Sequence, residues 1–261
     1  MTAITADSAF APASHAPALE DCAVIELRDY LLHPGRRDAL VALFEREFVE
    51  TQAAEGMRVI GTFTDLDRPD RFVWLRGFAD MAARRRGLAA FYGGPNWQAH
   101  RSAANATMID ASDVRLLRYA RPTWTLATPA WPRPRPVAPV VDAATCVHID
   151  LCTLRKPVDA AWRRSFEREV LPLQVEHGAA PCAVLETEPA ENDFPALPVR
   201  SGEFVFAWIT RFADDAAAAR ATARLDASPA WTDRVLPRLL DASAAPMQLL
   251  RLRPTARSLL R

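Results

Sequence analysis

A long internal repeat is the feature that most constrains what this chain can fold into. The tetrapeptide Phe-Glu-Arg-Glu occurs at residues 44–47 and again at 166–169. A glycine follows the phenylalanine of each copy after twelve residues, at Gly56 and at Gly178. A four-residue match alone can be chance, so the interpretation depends on whether further matches keep the same order.

Further matches do keep that order. The tripeptide Phe-Ala-Asp occurs at 78–80 and at 212–214, and a tryptophan follows each phenylalanine after nineteen residues, at Trp97 and Trp231. The offset between the copies is 122 residues in the first part and 134 in the second, and the extra twelve fall within residues 188–203. Ordered matches with one insertion predict a duplicated domain.

The repeat divides the chain. We predict a first repeat at 21–120 and a second repeat at 143–254. Between them, residues 121–142 contain six prolines, a density that favours an extended, semi-rigid linker. Residues 1–20 are predicted to be a disordered N-terminal tail, and residues 255–261 a C-terminal tail.

Each repeat has the pattern of a ferredoxin-like domain. The segment CAVIELRDYLL alternates as a strand does, and residues 36–54 carry apolar side chains at steps of three and four, as in an amphipathic helix. Gly56 can end that helix in a left-handed conformation. Two strands, a second helical region and a last strand follow, which gives the order βαββαβ.

The predicted fold class is therefore α+β, with two tandem ferredoxin-like repeats packed as in a dimeric α+β barrel. Both helices of such a repeat cover one face of its sheet, and the other face must be covered as well. Two sheets packed face to face would cover each other and leave a cleft between them. The second sheet belongs either to the same chain or to another copy in a homodimer.

The composition excludes several classes of function. The formal net charge of the 261 residues is zero, which argues against a nucleic-acid partner. The four cysteines are far apart, and no phosphate-binding loop, dinucleotide fingerprint, HExxH or GxSxG motif occurs. No apolar run is long enough to predict a membrane span, and the N-terminus lacks a signal-peptide pattern. We therefore expect a cytoplasmic protein with no cofactor and no membrane partner.

The candidate functional residues come from the polar face of the first strand in each repeat. Ile25 and Leu27 suit the face covered by helices, so the alternate positions are predicted to point into the cleft between the sheets. These positions are Glu26, Arg28 and Tyr30 in the first repeat and His148, Asp150 and Cys152 in the second.

The third strand of each repeat adds aromatic side chains to the same predicted cleft. The residues on one face are Phe72, Trp74 and Arg76 in the first repeat and Phe206, Trp208 and Thr210 in the second. Aromatic walls with a few convergent polar groups are typical of a pocket for a mostly apolar small molecule.

These residues allow specific roles and plainer ones. His148 or Asp150 is predicted to act as a base, Arg28 and Arg76 to hold an anionic or carbonyl group, and Tyr30 to supply a proton. The remaining predicted substrate contacts are Glu26, Trp74, Phe206, Trp208 and Cys152.

Each role has a structural alternative. Glu26 and Arg28 can form a cross-strand ion pair, His148 can be a packed side chain, and Cys152 can be buried and inert. A metal site would require His177 or Glu186 to approach the cleft, and no metal is predicted.

Several segments of the first repeat resemble the NIPSNAP family of the dimeric α+β barrel superfamily: VIELRDYLLHPG, GMRVIGTF, FVWLRGFADMAARR and GGPNWQAHRSAANATM. The resemblance is weaker over the second repeat. A common pattern of the family has His at the position of Trp74 and Trp at the position of Arg76. The resemblance implies the barrel fold and a small-molecule pocket, in a superfamily that includes cofactor-free monooxygenases, isomerases, cyclases and haem enzymes.

The leading functional hypothesis is an enzyme of small-molecule metabolism that works without a nucleotide cofactor. It would isomerise, cyclise or oxygenate an apolar or aromatic substrate. The alternative is a protein without enzymatic activity that binds a small molecule or a protein partner. Fold resemblance cannot choose between these, because one fold serves many functions.

Overall fold

A computed structural model of the chain describes residues 16–129, 133 and 144–261. The strands of this described part are β1 Val24–Leu32, β2 Arg58–Asp65, β3 Arg71–Phe78, β4 Met108–Asp110, β5 Val114–Tyr119, β6 Cys146–Leu154, β7 Pro181–Thr187, β8 Phe204–Phe212 and β9 Gln248–Pro254. The α-helices are α1 Arg37–Leu43, α2 Val49–Ala54, α3 Met81–Gly93, α4 Pro95–Asn105, α5 Ala160–Ser165, α6 Leu171–Glu176, α7 Asp215–Asp226 and α8 Leu236–Ala242. Three π-helical segments, Phe44–Phe48, Phe166–Val170 and Ala230–Val235, join neighbouring helices.

Both repeats have the predicted βαββαβ order, and the first adds the short strand β4. Within each repeat the strands are antiparallel and follow the ferredoxin-like order, β5-β1-β3-β2 in the first and β9-β6-β8-β7 in the second. The predicted fold class is confirmed.

The two sheets close into one eight-stranded barrel within a single chain. Strand β2 pairs with β9, and β5 pairs with β7, so each edge of one sheet meets an edge of the other. Closure leaves no unpaired edge around the ring of eight strands. The partner sheet that the sequence left open is therefore supplied by the same chain.

The barrel interior is a continuous apolar core. Side chains from the two repeats meet there, and nearly all are aliphatic: Ile25, Leu27, Ile60, Phe63, Val73, Leu75, Leu117, Val147, Ile149, Leu151, Ala183, Leu185, Val205, Ala207, Ile209, Leu250 and Leu252. The prediction of a polar cleft between the sheets is wrong. This space is filled by Ile25, Leu27 and the other residues that were predicted to lie on the helix-covered face.

The face that does meet the helices carries the aromatic and charged residues. Phe72 and Trp74 of β3 pack against Phe44 and Phe48 of the first π-helical segment, and Phe44 lies 4.7 Å from Trp74 between ring centroids. The strand alternation was thus predicted correctly, but the two faces were exchanged. The aromatic side chains need the wider space between a sheet and its helices, where they meet the aromatic stripe of the helix.

The repeated tetrapeptide forms a π-helical turn in both copies. The predicted single helix over 36–54 is divided by it into α1, the π turn and α2. Phe44 and Phe48 both face the sheet, with their rings edge to face at 5.9 Å. π-helical turns are rare in proteins and mark local departures from regular hydrogen bonding.

Two other repeated residues have clear structural roles. Gly56 and Gly178 follow the first helical region of each repeat with φ of 78° and 83°, the left-handed conformation expected of a helix-ending glycine. Asp80 and Asp214, from the repeated Phe-Ala-Asp, cap α3 and α7, each accepting a backbone N–H at 2.6 Å.

Chain segments outside the repeats cover one end of the barrel. Leu19 is buried in the barrel core, and the Tyr119 hydroxyl donates to its carbonyl at 2.8 Å. The prediction of a disordered tail over 1–20 is therefore wrong for residues 16–20, because the open end of an apolar barrel needs an apolar cover. Residues 1–15 lie outside the described chain.

The predicted linker and C-terminal tail also contribute to this cover. Leu126, from the first part of the linker, and Leu259 and Leu260 join the barrel core. Most of the proline-rich linker, residues 130–132 and 134–142, lies outside the described chain, so its extended conformation stays a prediction. In the part that the structure describes, no helix is long and apolar enough to cross a membrane.

Barrel closure makes a specific prediction about stability. Replacing Leu75, which is fully buried in the barrel interior, by Ala should lower the free energy of unfolding by about 2–5 kcal/mol, since it leaves a cavity that closure prevents from collapsing. Chemical denaturation measures this change. Leu249→Ala, at a 44% exposed position of β9, is the matched control and should cost no more than about 0.5 kcal/mol. Equal losses in the two variants would contradict the filled barrel.

Candidate functional site

A buried charge cluster lies between the sheet and the helices of the first repeat. It consists of Glu26 and three arginines, Arg28, Arg76 and Arg84, all of them at most 1% exposed. Glu26 Oε2 accepts hydrogen bonds from Arg28 Nη1 at 2.8 Å and from Arg76 Nε at 3.0 Å. Its other oxygen, Oε1, accepts from Arg84 Nε at 2.7 Å.

The electrostatics of this cluster keep the carboxylate charged. Burial alone would raise the pKa of Glu26, but the guanidinium groups of Arg76, Arg28 and Arg84 outweigh burial and hold its pKa below the usual range. Removing one partner of such a buried pair strongly destabilises a protein, because the remaining charge stays buried without compensation. Glu26 and Arg28 do form an ion pair, but within strand β1; the cross-strand partner of Glu26 is Arg76 of β3.

Tyr30 and an aromatic pocket adjoin the cluster. Arg28 Nε donates to the Tyr30 hydroxyl at 2.8 Å, and burial raises the pKa of Tyr30 although Arg28 opposes it, so the phenol stays protonated at neutral pH. Tyr30 and Trp74 line a cavity of about 40 Å³, together with Leu40, Phe44, Phe48, Gln52, Phe91, Tyr92, Trp97, Ala104 and Met108. This aromatic pocket has room for one or two waters and not for a substrate.

The equivalent space of the second repeat is far more open. A groove of about 760 Å³, which we call the second-repeat groove, lies between α5 with its π turn and α8, at the end of β6. Its lining is Leu154, Arg155, Lys156, Pro157, Asp159, Ala161, Trp162, Ser165, Phe166, Glu169, Val170, Val235, Pro237, Arg238, Leu239, Asp241 and Ala242. Phe166 and Val170 hold the positions of Phe44 and Phe48, so the loss of one ring helps to open the space.

The groove has an apolar floor and a polar rim. Leu154, Phe166 and Leu239 are buried in the core of the second repeat. On the rim, Arg238 donates to Glu169, and the Ser165 hydroxyl donates to the same carboxylate at 3.2 Å. The charges of this part of the rim are therefore paired with each other.

Two other cations complete the rim. Arg155 Nε donates to the Asp241 carbonyl at 3.0 Å. Lys156, the sole lysine of the sequence, makes no ion pair within the described chain. Neither of these cations forms an ion pair within the described chain, and the acidic residues Asp159 and Asp241 also line the groove.

Asp150 is a predicted site residue whose pKa lies close to neutrality. Burial raises the pKa of its carboxyl to about 7, while the nearby Trp208 indole N–H lowers it without reaching hydrogen-bond geometry. The side chain is deeply enclosed but remains partly accessible to water. It does not line the groove; its cross-strand neighbour Trp208 packs on Phe166 of the groove floor, with 5.4 Å between ring centroids.

His148 and Cys152 lie on the same face of β6, but they do not form a catalytic group with Asp150. No hydrogen bond joins His148 to Asp150 in the described chain; the imidazole packs on Phe212, and burial and then Arg251 lower its pKa. Burial raises the pKa of the Cys152 thiol to about 12, so the thiol is inert at neutral pH.

The structure separates the predicted site into two halves. The residues of the first repeat gather around the buried charge cluster. In the second repeat Phe206 and Trp208 contact Phe166 of the groove floor, whereas His148 packs on Phe212, which does not line the groove. The predicted meeting of the two sets across a cleft is wrong, because the filled barrel stands between them. Phe206, Trp208 and Thr210 are buried in the second repeat, near Phe166 or the backbone of Ala179.

A metal site is not formed by the residues considered for one. Both oxygens of Glu186 accept hydrogen bonds from Arg163, and Arg118 also donates to Oε1. In the described part of the chain, no group of three or more His, Cys, Asp or Glu side chains is placed to hold a metal ion.

Sequence reasoning missed Arg84 and the residues that line the groove. Arg84 lies in a run of three arginines on a helix, a pattern that indicates a solvated face, yet it is completely buried. The groove residues belong to helices whose apolar stripes were predicted, but the width of the space between two helices has no local sequence signal.

The closed barrel with a pocket between sheet and helices defines the class: a tandem α+β barrel of ferredoxin-like repeats. Residues 25–122 match the NIPSNAP family model, so the predicted resemblance of the first repeat to that family is confirmed. No protein of curated function matches the sequence significantly.

Several solved structures are similar to all or part of this chain. A Fusobacterium nucleatum protein provisionally named a monooxygenase is 9% identical, with a TM-score of 0.51 over 88% of this chain and 91% of that chain. A NIPSNAP family protein of unknown function from Agrobacterium tumefaciens is 22% identical over 38% of this chain and 88% of its own, with a TM-score of 0.35. A NIPSNAP-like domain protein from Burkholderia xenovorans is 25% identical over 44% of this chain and 95% of its own, with a TM-score of 0.33.

The raised pKa of Asp150 makes stability depend on pH. The folded state disfavours the ionised carboxyl, so the contribution of Asp150 to stability should fall as the pH rises from about 4, the unfolded pKa, to about 7, the folded one, and then level off. Asp150→Asn should remove this fall and be more stable than the wild type by about 1–3 kcal/mol at pH 8, with little difference at pH 4.

Urea denaturation at several pH values measures that difference. Asp226→Asn is the control, since Asp226 is exposed on α7 and its replacement should leave the pH profile unchanged. The same dependence of stability on pH in the wild type and in Asp150→Asn between pH 4 and 7 would contradict the environment assigned to Asp150.

Proposed function

We propose that the protein binds an apolar or aromatic small molecule in the second-repeat groove. The observation that carries this proposal is the contrast between the spaces beside the first helical region of each repeat. The space beside Phe44 and Phe48 has about 40 Å³, and the one beside the equivalent Phe166 and Val170 has about 760 Å³. Ligand sites have volumes of about 300–1,000 Å³, mostly apolar walls and a few polar groups. The second-repeat groove has that size and that division between floor and rim.

The same contrast gives the two repeats different roles. In the first repeat the space is occupied by aromatic rings and the buried charge cluster, which stabilise the domain. In the second, Asp150, Thr210 and Ala218 stand where Arg28, Arg76 and Arg84 stand in the first, so the arginines of the charge cluster have no counterparts there. In this proposal the first repeat has a structural role, and the second repeat binds the ligand.

Binding in the groove is tested by filling it. Ala161 is exposed and lines the groove, whereas its neighbour Ala160 is exposed and does not. Ala161→Trp should weaken the binding of the fluorescent probe 1-anilinonaphthalene by about ten-fold or more, and Ala160→Trp should not. Fluorescence titration measures the affinities, and thermal melting confirms that both variants fold. Equal binding by the two variants would rule out the groove as the site.

A second candidate function is catalysis on the bound molecule, with Asp150 as the general acid or base. The specific observation in its favour is a carboxyl with a pKa near 7, the range in which a group both gives and takes a proton at neutral pH. The reaction would be an isomerisation, cyclisation or oxygenation that uses no nucleotide cofactor. Because Asp150 lies beyond Phe166 and Trp208, the substrate would have to reach it by displacing the Phe166 ring.

Catalysis is tested on whatever molecule the protein retains. Native mass spectrometry followed by extraction identifies the ligand carried by the wild type and by Asp150→Asn. If Asp150 catalyses the reaction, the variant should accumulate substrate and the wild type product. The product would be an isomer with another retention time or, after reaction with O2, a molecule with one more oxygen atom and two fewer hydrogen atoms, the second oxygen atom leaving as water. The same retained molecule in both proteins, unchanged on incubation, would favour binding alone.

A further inference from the structure

The insertion that distinguishes the second repeat lies on the first repeat. Residues 188–203, here called the strap, connect β7 to β8 and extend across the barrel junction. The backbone N–H of Glu188 donates to the Leu116 carbonyl at 3.0 Å, and that of Arg200 to the Val114 carbonyl at 2.8 Å. Phe194, Leu197 and Val199 of the strap pack against the helix-side core of the first repeat.

The tip of the strap reaches the buried charge cluster. Arg84 Nη1 donates to Asp193 Oδ1 at 2.9 Å and to Asn192 Oδ1 at 3.0 Å. The adjacent Phe194 ring stacks on Tyr92, with 6.3 Å between centroids and 27° between planes. A carboxylate and an aromatic ring, on consecutive residues, therefore contact the cluster and the wall of the aromatic pocket.

The interior beneath the strap has an excess of positive charge and unused donors. Three guanidinium groups face two carboxylates, Glu26 and Asp193, which leaves one positive charge among these five groups. Arg84 Nη2 and Trp74 Nε1 are buried and have no hydrogen-bond partner in the described chain, although each residue is at most 2% exposed. Trp74 lines the aromatic pocket. Buried donors of this kind favour a ligand that brings an acceptor.

We propose that the interior of the first repeat is a second binding site, for an aromatic carboxylic acid, and that Asp193 and Phe194 of the strap occupy it as an internal ligand. The carboxylate of such a molecule would replace Asp193 on Arg84, and its ring would replace Phe194 on Tyr92. Displacing the strap tip would open this site without disturbing the barrel, because the tip lies outside the ring of strands.

The strap is attached to the first repeat by contacts that do not involve Asp193. The strap already has an apolar attachment through Leu197 and Val199 and backbone hydrogen bonds at both ends. Its attachment does not require a carboxylate beside a completely buried arginine. Asp193 itself is 29% exposed, so exchange with a solvent-borne carboxylate does not require the protein to unfold.

The experiment removes the side chains of Asp193 and Phe194 and adds an aromatic carboxylic acid in solution. Asp193→Ala/Phe194→Ala is made in the full chain that also carries Ala161→Trp, so that the second-repeat groove is blocked. The probe is 2-naphthoate, and its methyl ester is the uncharged control. Glu191→Ala/Pro195→Ala, at exposed strap positions, is the matched control variant in the same background.

Isothermal titration calorimetry should show one equivalent of 2-naphthoate bound by the Asp193/Phe194 variant, about ten-fold or more tighter than by the control variant. The methyl ester should bind to neither. Binding of ester and acid with equal affinity, or no gain over the control variant, would overturn the proposal. Failure of the groove proposal would not affect this result, since the groove is blocked in both proteins.

A milder variant keeps the proposal testable if the double variant does not fold. Asp193→Asn removes the charge and keeps the shape of the side chain. Its melting temperature should rise by several degrees with millimolar 2-naphthoate, while that of the wild type should not, because only the variant has lost its own carboxylate. An equal response of variant and wild type would overturn the proposal.

Discussion

The pairing of β2 with β9 and of β5 with β7 is the interaction on which the rest of the structure depends. It turns two sheets with one bare face each into a closed ring whose interior excludes water. Long strands without closure would expose unpaired backbone groups and two apolar faces. Closure also fixes which residues can be inside: a narrow, dry interior accepts aliphatic side chains and rejects charged ones. The charged and aromatic residues must therefore lie under the helices.

The two repeats use the space under the helices in opposite ways. In the first, a single carboxylate is surrounded by three arginines, and aromatic rings fill the remaining volume. In the second, the positions of those arginines hold Asp150, Thr210 and Ala218, and a groove opens at the end of β6, beyond these three residues. Under the proposed function the groove is a ligand site, whose unfilled volume costs stability, and a well-packed first repeat compensates for that loss. Divergence after duplication separates these demands.

Much of the architecture could be predicted from the sequence because its signals are local or repeated. The order βαββαβ, the helix ends at Gly56 and Gly178 and the site of the insertion all follow from spacing. The face assignment was wrong for a physical reason: both faces of each strand are buried, so the alternation of Glu26 with Ile25 and Leu27 does not say which face meets the helices. The aromatic residues were the better guide, since Phe72 and Trp74 match the aromatic stripe of Phe44 and Phe48.

The sequence by itself determined the duplication, the class of fold and the absence of the common cofactor motifs. Only the tertiary structure decided that the two sheets close on each other within one chain, that Glu26 and Arg28 lie under the helices, and that the strap of the second repeat places Asp193 on Arg84 of the first. The reason is the range of the forces involved. Strand and helix patterns arise from neighbouring residues, whereas a buried ion pair between residues 109 positions apart exists only once closure has brought the two repeats together.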